Sequence, residues 1–457
     1  MSATSRSPRT LLALLVGPPL LVLMLLGGVA WRLERRILAL EETLTAEFQA
    51  FAATRGLRPA HVEEPLPGTV AQALAPLLPE LTAPPTSEET RSLDEACYPV
   101  LKRALPLSEL PPSCREQLAR LRPSMRLALR ASRASDGALP EELLLFPPPP
   151  HSDPQLARDR LTQLIALAAL EVRLQTEAGQ ADAAAETCLD ALALSRDLGR
   201  GAGLAGATRT VIDVELLFIP CQGALSRASP PSLRRSAAGL RRLREGLIPL
   251  SSAATEEHLQ QALRRLEGVN APARMAELAG GARGYWQLLG DTRSPWYALT
   301  CCEWLFPSMV RHAVLEGDRR NRRLVSLADL PLARFRPALE ALNERPSWNF
   351  LVGLETLYLP RLAIRMKRQR AEVELLLALT RVRLHRAEHG VWPTALPPLY
   401  PGQGVPHPLE LSLQPGAEDT LVLRPEEQTL DEVSTPLEGD LPPDDEAMPW
   451  LEVTARP

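Results

Sequence analysis

Residues 161–200 read LTQLIALAALEVRLQTEAGQADAAAETCLDALALSRDLGR. In the first half, Leu161, Ile165, Ala168 and Val172 recur at steps of three and four, the period of a helix with one buried face. Gly179 interrupts that run, and a second helical run follows through DAAAETCLDALALSRDLG before the glycines Gly199, Gly201 and Gly203 close it. Two helices joined by a glycine turn predict an antiparallel hairpin. Composition extends the reading to the whole chain: aromatics are only 4%, β-branched residues are few, and Leu and Ala are abundant, which favours helix over strand. That composition argues against an all-β fold, and the lack of Val/Ile-rich strands alternating with helices argues against an α/β one. The expected fold class is mainly α.

Around that hairpin the sequence predicts further helices near Pro231–Leu247, Thr255–Glu267, Pro272–Leu289 and Pro331–Asn343, and a long one from Pro360 to His389. Proline-rich punctuation falls at Leu105–Pro112 and Phe146–Pro154, and the proline-rich stretch 57–90 reads as a linker. Gly390 stops the long helix, and alternating apolar residues between Leu409 and Arg424 predict a β-hairpin around a PGAED turn. Glu426, Glu427, Asp431, Glu432, Asp444, Asp445 and Glu446 face a single Arg456, the composition of a loosely attached acidic tail.

At the other end, LLALLVGPPLLVLMLLGGVAW, residues 11–31, is uncharged and about as long as a helix needs to cross a ~30 Å hydrocarbon core. Trp31 would sit at the interface, with Arg32, Arg35 and Arg36 just beyond. A cleaved signal is the competing reading, since Arg6 and Arg9 precede the run and Gly28-Val29-Ala30 has cleavage-site character. The anchor is preferred, because Leu33, Ile37, Leu40, Leu44, Phe48 and Phe51 continue a helical apolar period straight out of the run. The expected order is a tail at 1–10, a transmembrane anchor at 11–31, a juxtamembrane helix at 32–56, the linker at 57–90, a helical domain at 91–389, a loop and hairpin at 390–425, and the tail at 426–457. The bulk of the chain is expected in the periplasm, held at the inner membrane.

The 457 residues suffice for two or three domains, and a net charge of −4 argues against nucleic acid as a partner. All but two of the 51 basic residues are Arg, the exceptions being Lys102 and Lys367. With abundant Ala, Leu and Pro, that bias points to a GC-rich bacterial source. Six cysteines permit disulfides in an exported chain. Cys97 and Cys114 make the expected pair, Cys188 and Cys221 read as small apolar core residues, and the adjacent Cys301 and Cys302 cannot readily bridge to each other.

Arg386, Gly390, Trp392, Pro393 and Leu396, at the end of a long helix before a short hairpin, resemble the C-terminal segment of major type II secretion pseudopilins. The same ending occurs in uncharacterised anchored helical proteins of myxobacteria and planctomycetes, which the chain resembles more closely. The 161–200 hairpin resembles one tetratricopeptide unit, with Gly179, Ala184 and Ala191 at the turn and small-residue positions. Ala168, Gln175 and Ala181 stand where that repeat has large residues, and no second copy follows. The chain also lacks a prepilin processing site and the Glu inside the apolar run. The resemblance therefore implies an envelope protein and not pilus assembly.

One motif carries metal chemistry on paper. His385-Arg386-Ala387-Glu388-His389 is H-x-x-E-H, with two histidines four apart and a glutamate for general-base work. Glu410 or Glu418 would have to supply a third ligand, and Gly390 ends the helix at once. The bland reading is a helix terminus, where cationic His is favourable by itself. The clusters Asp318–Arg323 and Arg365–Arg370 read as solvated helix faces. The carboxylate pair Glu256-Glu257 and the run Asp444-Asp445-Glu446 read as solvated carboxylates. Gly280-Gly281-Ala282-Arg283-Gly284 follows no strand, so it reads as a loop or helix break. His61, His151, His258, His312 and His407 are scattered. No catalytic, cofactor-binding or metal residue is assigned, and no cofactor is expected. The expected function is a membrane-anchored helical protein of the cell envelope that offers a face to a partner protein. A metal-dependent hydrolase using His385, Glu388 and His389 is the alternative, and a secretion or pilus-related component is another.

Overall fold

Gly179 takes φ +75°, a left-handed conformation that only glycine reaches without strain, and it stands between two helices. In the computed structural model these are the helices expected from the 161–200 stretch. We number elements along the chain. The structure describes residues 8–84, 97, 107–147, 153–271, 279–281, 283, 306–328, 330, 332–343, 359–395, 411–416, 421–425 and 453–455, and the side chains of residues 8–23, 26, 270, 332, 333, 336, 340, 343, 359–361, 363, 364, 367, 411–413, 415, 424, 425 and 454 lie outside that description.

The described chain is mainly helical: α1 (Pro8–Thr54), α2 (Val70–Leu74), α3 (Leu78–Thr82), α4 (Pro112–Ala131), α5 (Pro154–Glu177), α6 (Ala181–Leu198), α7 (Gly203–Leu225), α8 (Pro230–Glu245), α9 (Leu250–Asn270), α10 (Phe306–Leu327), α11 (Leu332–Asn343) and α12 (Leu359–His389). Five short strands accompany them: β1 (Leu66–Thr69), β2 (Ala134–Asp136), β3 (Leu411–Pro415), β4 (Leu421–Pro425) and β5 (Val453–Ala455). Two compact units result. One comprises residues 1–50, 258–323 and 342–356, and the other residues 51–257, 324–341 and 357–457. The single helical domain expected over 91–389 is therefore divided between them.

The larger unit is built on α5, α6 and α7, which pack on one another in sequence. The start of α5 is fixed by Asp153, whose carboxylate accepts from the amides of Gln155 (3.0 Å) and Leu156 (3.2 Å), with Pro154 at the first helical position. Leu161, Leu164, Ile165, Ala168, Ala184, Cys188, Ala191 and Leu192 fill the shared core, and small residues at Ala168, Ala184 and Ala191 bring these helices close. α4 lies on α5 and α6, while α12 covers α7 and α8. Gly239 lets α8 approach closely: a Cβ there would stand 3.0 Å from the carbonyl oxygen of His61. The α7 helix was not expected, because the glycines before it read as a terminus. It carries Pro220 in its interior, buried in the core.

Three expectations are corrected. The stretch 57–90 is no linker as far as it is described: Val70, Leu74, Leu77 and Leu81 are core residues. Its prolines open short helices, and a capping box between Thr69 and Gln72 starts α2. β1 in this stretch pairs in parallel with β2. Second, Cys188 and Cys221 are not merely apolar filler but a disulfide linking α6 to α7; Cys97 and Cys114 are bridged as expected. Third, the tail expected from 426 onward contributes β5, which pairs antiparallel with β4 and buries Val453 and Ala455. The expected hairpin is present as β3 and β4, antiparallel from Leu411 opposite Pro425 to Pro415 opposite Leu421.

In the smaller unit, the α1 stripe predicted by periodicity is buried at Ile37, Leu44 and Phe48. Leu259, Leu263 and Leu266 of α9, and Met309, Val310 and Ala313 of α10, are buried in the same unit. Among the described residues no helix is both long and apolar enough to cross a membrane. The expected span at 11–31 lies largely outside the described side chains. Its backbone is helical and continuous with the rest of α1. Of the expected helix at 272–289, residues 279–281 and 283 are described, and they are helical.

Candidate functional site

A dense cluster of buried charge lies where residues 55–61 cross the C-terminal half of α6. Arg58 grips Asp197 with two bonds, from Nε to Oδ1 at 3.0 Å and from Nη2 to Oδ2 at 2.9 Å. Its guanidinium also donates to the carbonyls of Ala134 (2.8 Å) and Ser132 (3.1 Å). Arg196 donates to Asp197 Oδ1 at 3.0 Å and to the carbonyl of Pro59 at 3.1 Å. Arg200 donates to the carbonyls of Arg55 and Gly246, at 2.9 and 3.1 Å. Two turns earlier on the helix, Asp190 meets His61 Nε2 at 2.8 Å and is held from the other side by Arg133 at 2.7 Å. Three guanidinium groups thus stitch an irregular segment to a helix by carbonyls and carboxylates, the fork geometry that Lys cannot supply.

The electrostatics follow from burial. Loss of water lowers Arg196, and likewise Arg158, which binds the carbonyl of Leu143, to a pKa of about 10. Burial also lowers the His61 imidazole below its ordinary value, against the opposing pull of Asp190. On the inner side of α6, burial raises the Asp213 carboxyl to about 7, although Ser195 donates to it at 3.1 Å.

A histidine on a carboxylate invites comparison with a catalytic dyad. The His61 side chain is fully buried, its Nδ1 has no hydrogen-bond partner among the described residues, and Ser195 bonds Asp213 instead. General-base work requires the ring to reach a reacting proton, and this ring is sealed in. A cleft of about 400 Å³ opens beside Asp190, between Arg126, Arg130 and Thr187, but Asp190 is already occupied by His61 and Arg133. The arrangement locks structure in place.

The H-x-x-E-H segment lies at the end of α12. The rings of His385 and His389 stack at 4.2 Å, and His389 Nδ1 donates to the carbonyl of His385 at 3.0 Å. Glu388 turns to Arg234 at 2.8 Å. Glu410 and Glu418 lie outside the described residues. Among the described residues no group of three or more His, Cys, Asp or Glu is placed to hold a metal.

Several of the remaining sequence candidates are engaged within the fold as far as it is described. In the smaller unit, Arg322 of the Asp318–Arg323 cluster forks onto Glu47 (3.0 and 2.8 Å) and also binds Asp318, which meets His258 at 3.1 Å. Burial works to raise the Asp318 carboxyl, but His258 and Arg322 hold it below its ordinary value. In the larger unit, Arg368 pairs with Glu372 at 3.1 Å. His312 lies 3.5 Å from Glu316, and His151 and His407 lie outside the described residues. Glu256 and Glu257, expected on a solvated face, instead hold the start of α7. Glu256 accepts from the amides of Gly201 (3.1 Å) and Gly203 (3.2 Å) and pairs with Arg55, and Glu257 accepts from Leu204 (3.0 Å). A helix N-terminus with unsatisfied amides is where carboxylates are stabilising.

The comparison with known proteins leaves the chain alone: no family model, no curated protein and no solved structure matches it.

Proposed function

We propose that this chain is a membrane-anchored, non-catalytic helical protein of the bacterial cell envelope, folded on the periplasmic side of the inner membrane and acting by binding a partner protein. The observation that carries the reading is α1. It runs unbroken from Pro8 to Thr54, presents large exposed apolar side chains at Met24, Leu25, Val29 and Trp31, and then buries Ile37, Leu44 and Phe48 in a folded unit. Soluble helices rarely expose such residues in succession, whereas a helix emerging from lipid does. The two disulfides support the compartment, because such bonds persist where the environment is oxidising. The non-catalytic reading is supported by the employment of His61, Asp190 and Glu388 in structural pairs. The hydrolase alternative gains no comparable support, since Glu388 is turned to Arg234.

Carbonate extraction of membranes, combined with maleimide labelling in whole cells before and after reduction, tests the first two parts. The protein should stay with the membrane, and Cys188 and Cys221 should label only after reduction. Release by carbonate would overturn the anchor, and labelling of unfolded but unreduced protein would overturn the compartment. In-cell cross-linking with mass spectrometry tests the third part. A reproducible near-stoichiometric partner is expected, and none above background in a well-expressed sample would overturn the interaction reading.

A further inference from the structure

The first helix changes character over a short distance. Met24, Leu25, Val29 and Trp31 are 55–62% exposed, and a Cβ added at Gly27 or Gly28 would meet nothing within 4 Å. By Ile37 one face is fully packed. At ~1.5 Å per residue, Trp31 and Ile37 are separated by about 9 Å, little more than the roughly 5–8 Å depth of one headgroup layer. The unit therefore starts at the membrane surface and not on a stalk.

Arg32, Arg35 and Arg36 occupy that interval and are all exposed. At about 100° per residue they fall within roughly 100° of one another, next to Trp31 and about 150° from the face that carries Ile37, Leu44 and Phe48. Glu34, also exposed, falls on another side. The Arg35 guanidinium lies 5.3 Å from the centre of the Trp31 ring, which orients it at the level where an indole settles between hydrocarbon and headgroups. Guanidinium groups bind phosphate oxygens through paired N–H donors.

We infer that Trp31, Arg32, Arg35 and Arg36 form a headgroup-binding belt that selects anionic phospholipid and seats the smaller unit directly on the bilayer. The inference rests on the anchor reading above and adds the lipid class and the contact. The occupant is the phosphate-bearing headgroup of an anionic lipid, chosen by charge: three arginines converge on one face with no carboxylate among them.

Full-length protein reconstituted in phosphatidylcholine vesicles, with spin-labelled phosphatidylglycerol or phosphatidylcholine as the probe, separates the possibilities. Paramagnetic resonance reports the motionally restricted lipid at the protein surface. The wild type should prefer phosphatidylglycerol by about fivefold, the effect of roughly one basic residue near a charged surface. The R32Q/R35Q/R36Q variant, with its circular dichroism unchanged, should fall to near parity, as should the wild type in high salt. Restricted lipid without any headgroup preference, or a preference that survives in the triple variant, overturns the belt and leaves the anchor standing. Absence of restricted lipid of either kind overturns the anchor and the belt together.

Discussion

Two places in the larger unit assemble the same three kinds of side chain and use them differently. At the seam between residues 55–61 and α6, His61, Asp190 and Arg133 interlock, with the His61 and Asp190 side chains 0% and 8% exposed. At the end of α12, Glu388 pairs with Arg234 while the His385 ring stacks on His389, and the Arg234 and Glu388 side chains are 60% and 38% exposed. Only the second matches a chemical signature in sequence. Only the first is removed from water, where a lost partner is costly and a pKa moves. Spacing along a helix proposes a site, and desolvation decides whether the charges matter.

The largest effect expected from this contrast follows Asp197→Ala, which strands Arg58 and Arg196 in the interior. It should destabilise the protein by about 3–5 kcal/mol in urea unfolding. A loss below about 1 kcal/mol would place the seam on a par with the α12 end and erase the distinction. Replacing Cys188 and Cys221 by Ala weakens the same region without touching a charge. For a bridge spanning 33 residues the loss should be about 3–4 kcal/mol, read as a lower urea midpoint, and reductant should no longer affect the variant through this bridge.

A third test uses pH. The folded-state pKa of Asp213, about 7, lies above its ordinary 3.8, so between these values the native state keeps a proton that the unfolded chain has released. Its contribution is therefore complete below about pH 4 and is lost as pH rises towards 7, by about 2–3 kcal/mol from pH 5 to pH 7. Asp213→Asn should gain on the wild type across that window by a comparable amount. A constant difference between the two would show that the carboxyl is ionised throughout. The smallest effect belongs to the exposed pair: Glu388→Gln should change stability by less than about 0.5 kcal/mol. A larger loss would mean that the α12 end is more than a surface contact.

What the sequence disclosed and what it withheld follow the range of the interactions. The α5–α6 hairpin was legible because its period, its turn glycine and its small residues all act within forty residues. α12 and the β3–β4 hairpin were legible for the same reason. The stretch 57–82 was not. Its prolines suggested a linker, yet Pro76 and Pro79 start helical turns, and only the burial of Val70, Leu74 and Leu77 identifies them as core. β5 is three residues in an acidic context and is defined by β4, not by its own propensity. The seam was the least accessible of all: Arg58 and Asp197 are 139 positions apart, and neither residue carries a local signal. A faint hint existed in α6, where Asp190, Arg196 and Asp197 stand among the apolar residues that run from Leu189 to Leu198.

That separation also sets an order of events during synthesis. Residues 55–61 are made long before the helix that fixes them: Arg58 waits 139 residues for Asp197, and the carbonyl of Arg55 waits 145 for Arg200. At ordinary elongation rates of about 5–20 residues per second the interval is on the order of ten seconds. β1 likewise has no partner until residue 134 has been added. For that time a strand edge and unpaired guanidinium groups emerge beside α1. A nascent chain halted before α6 would display a finished first helix followed by an open, sticky segment, which makes this the stage at which a chaperone has most to hold.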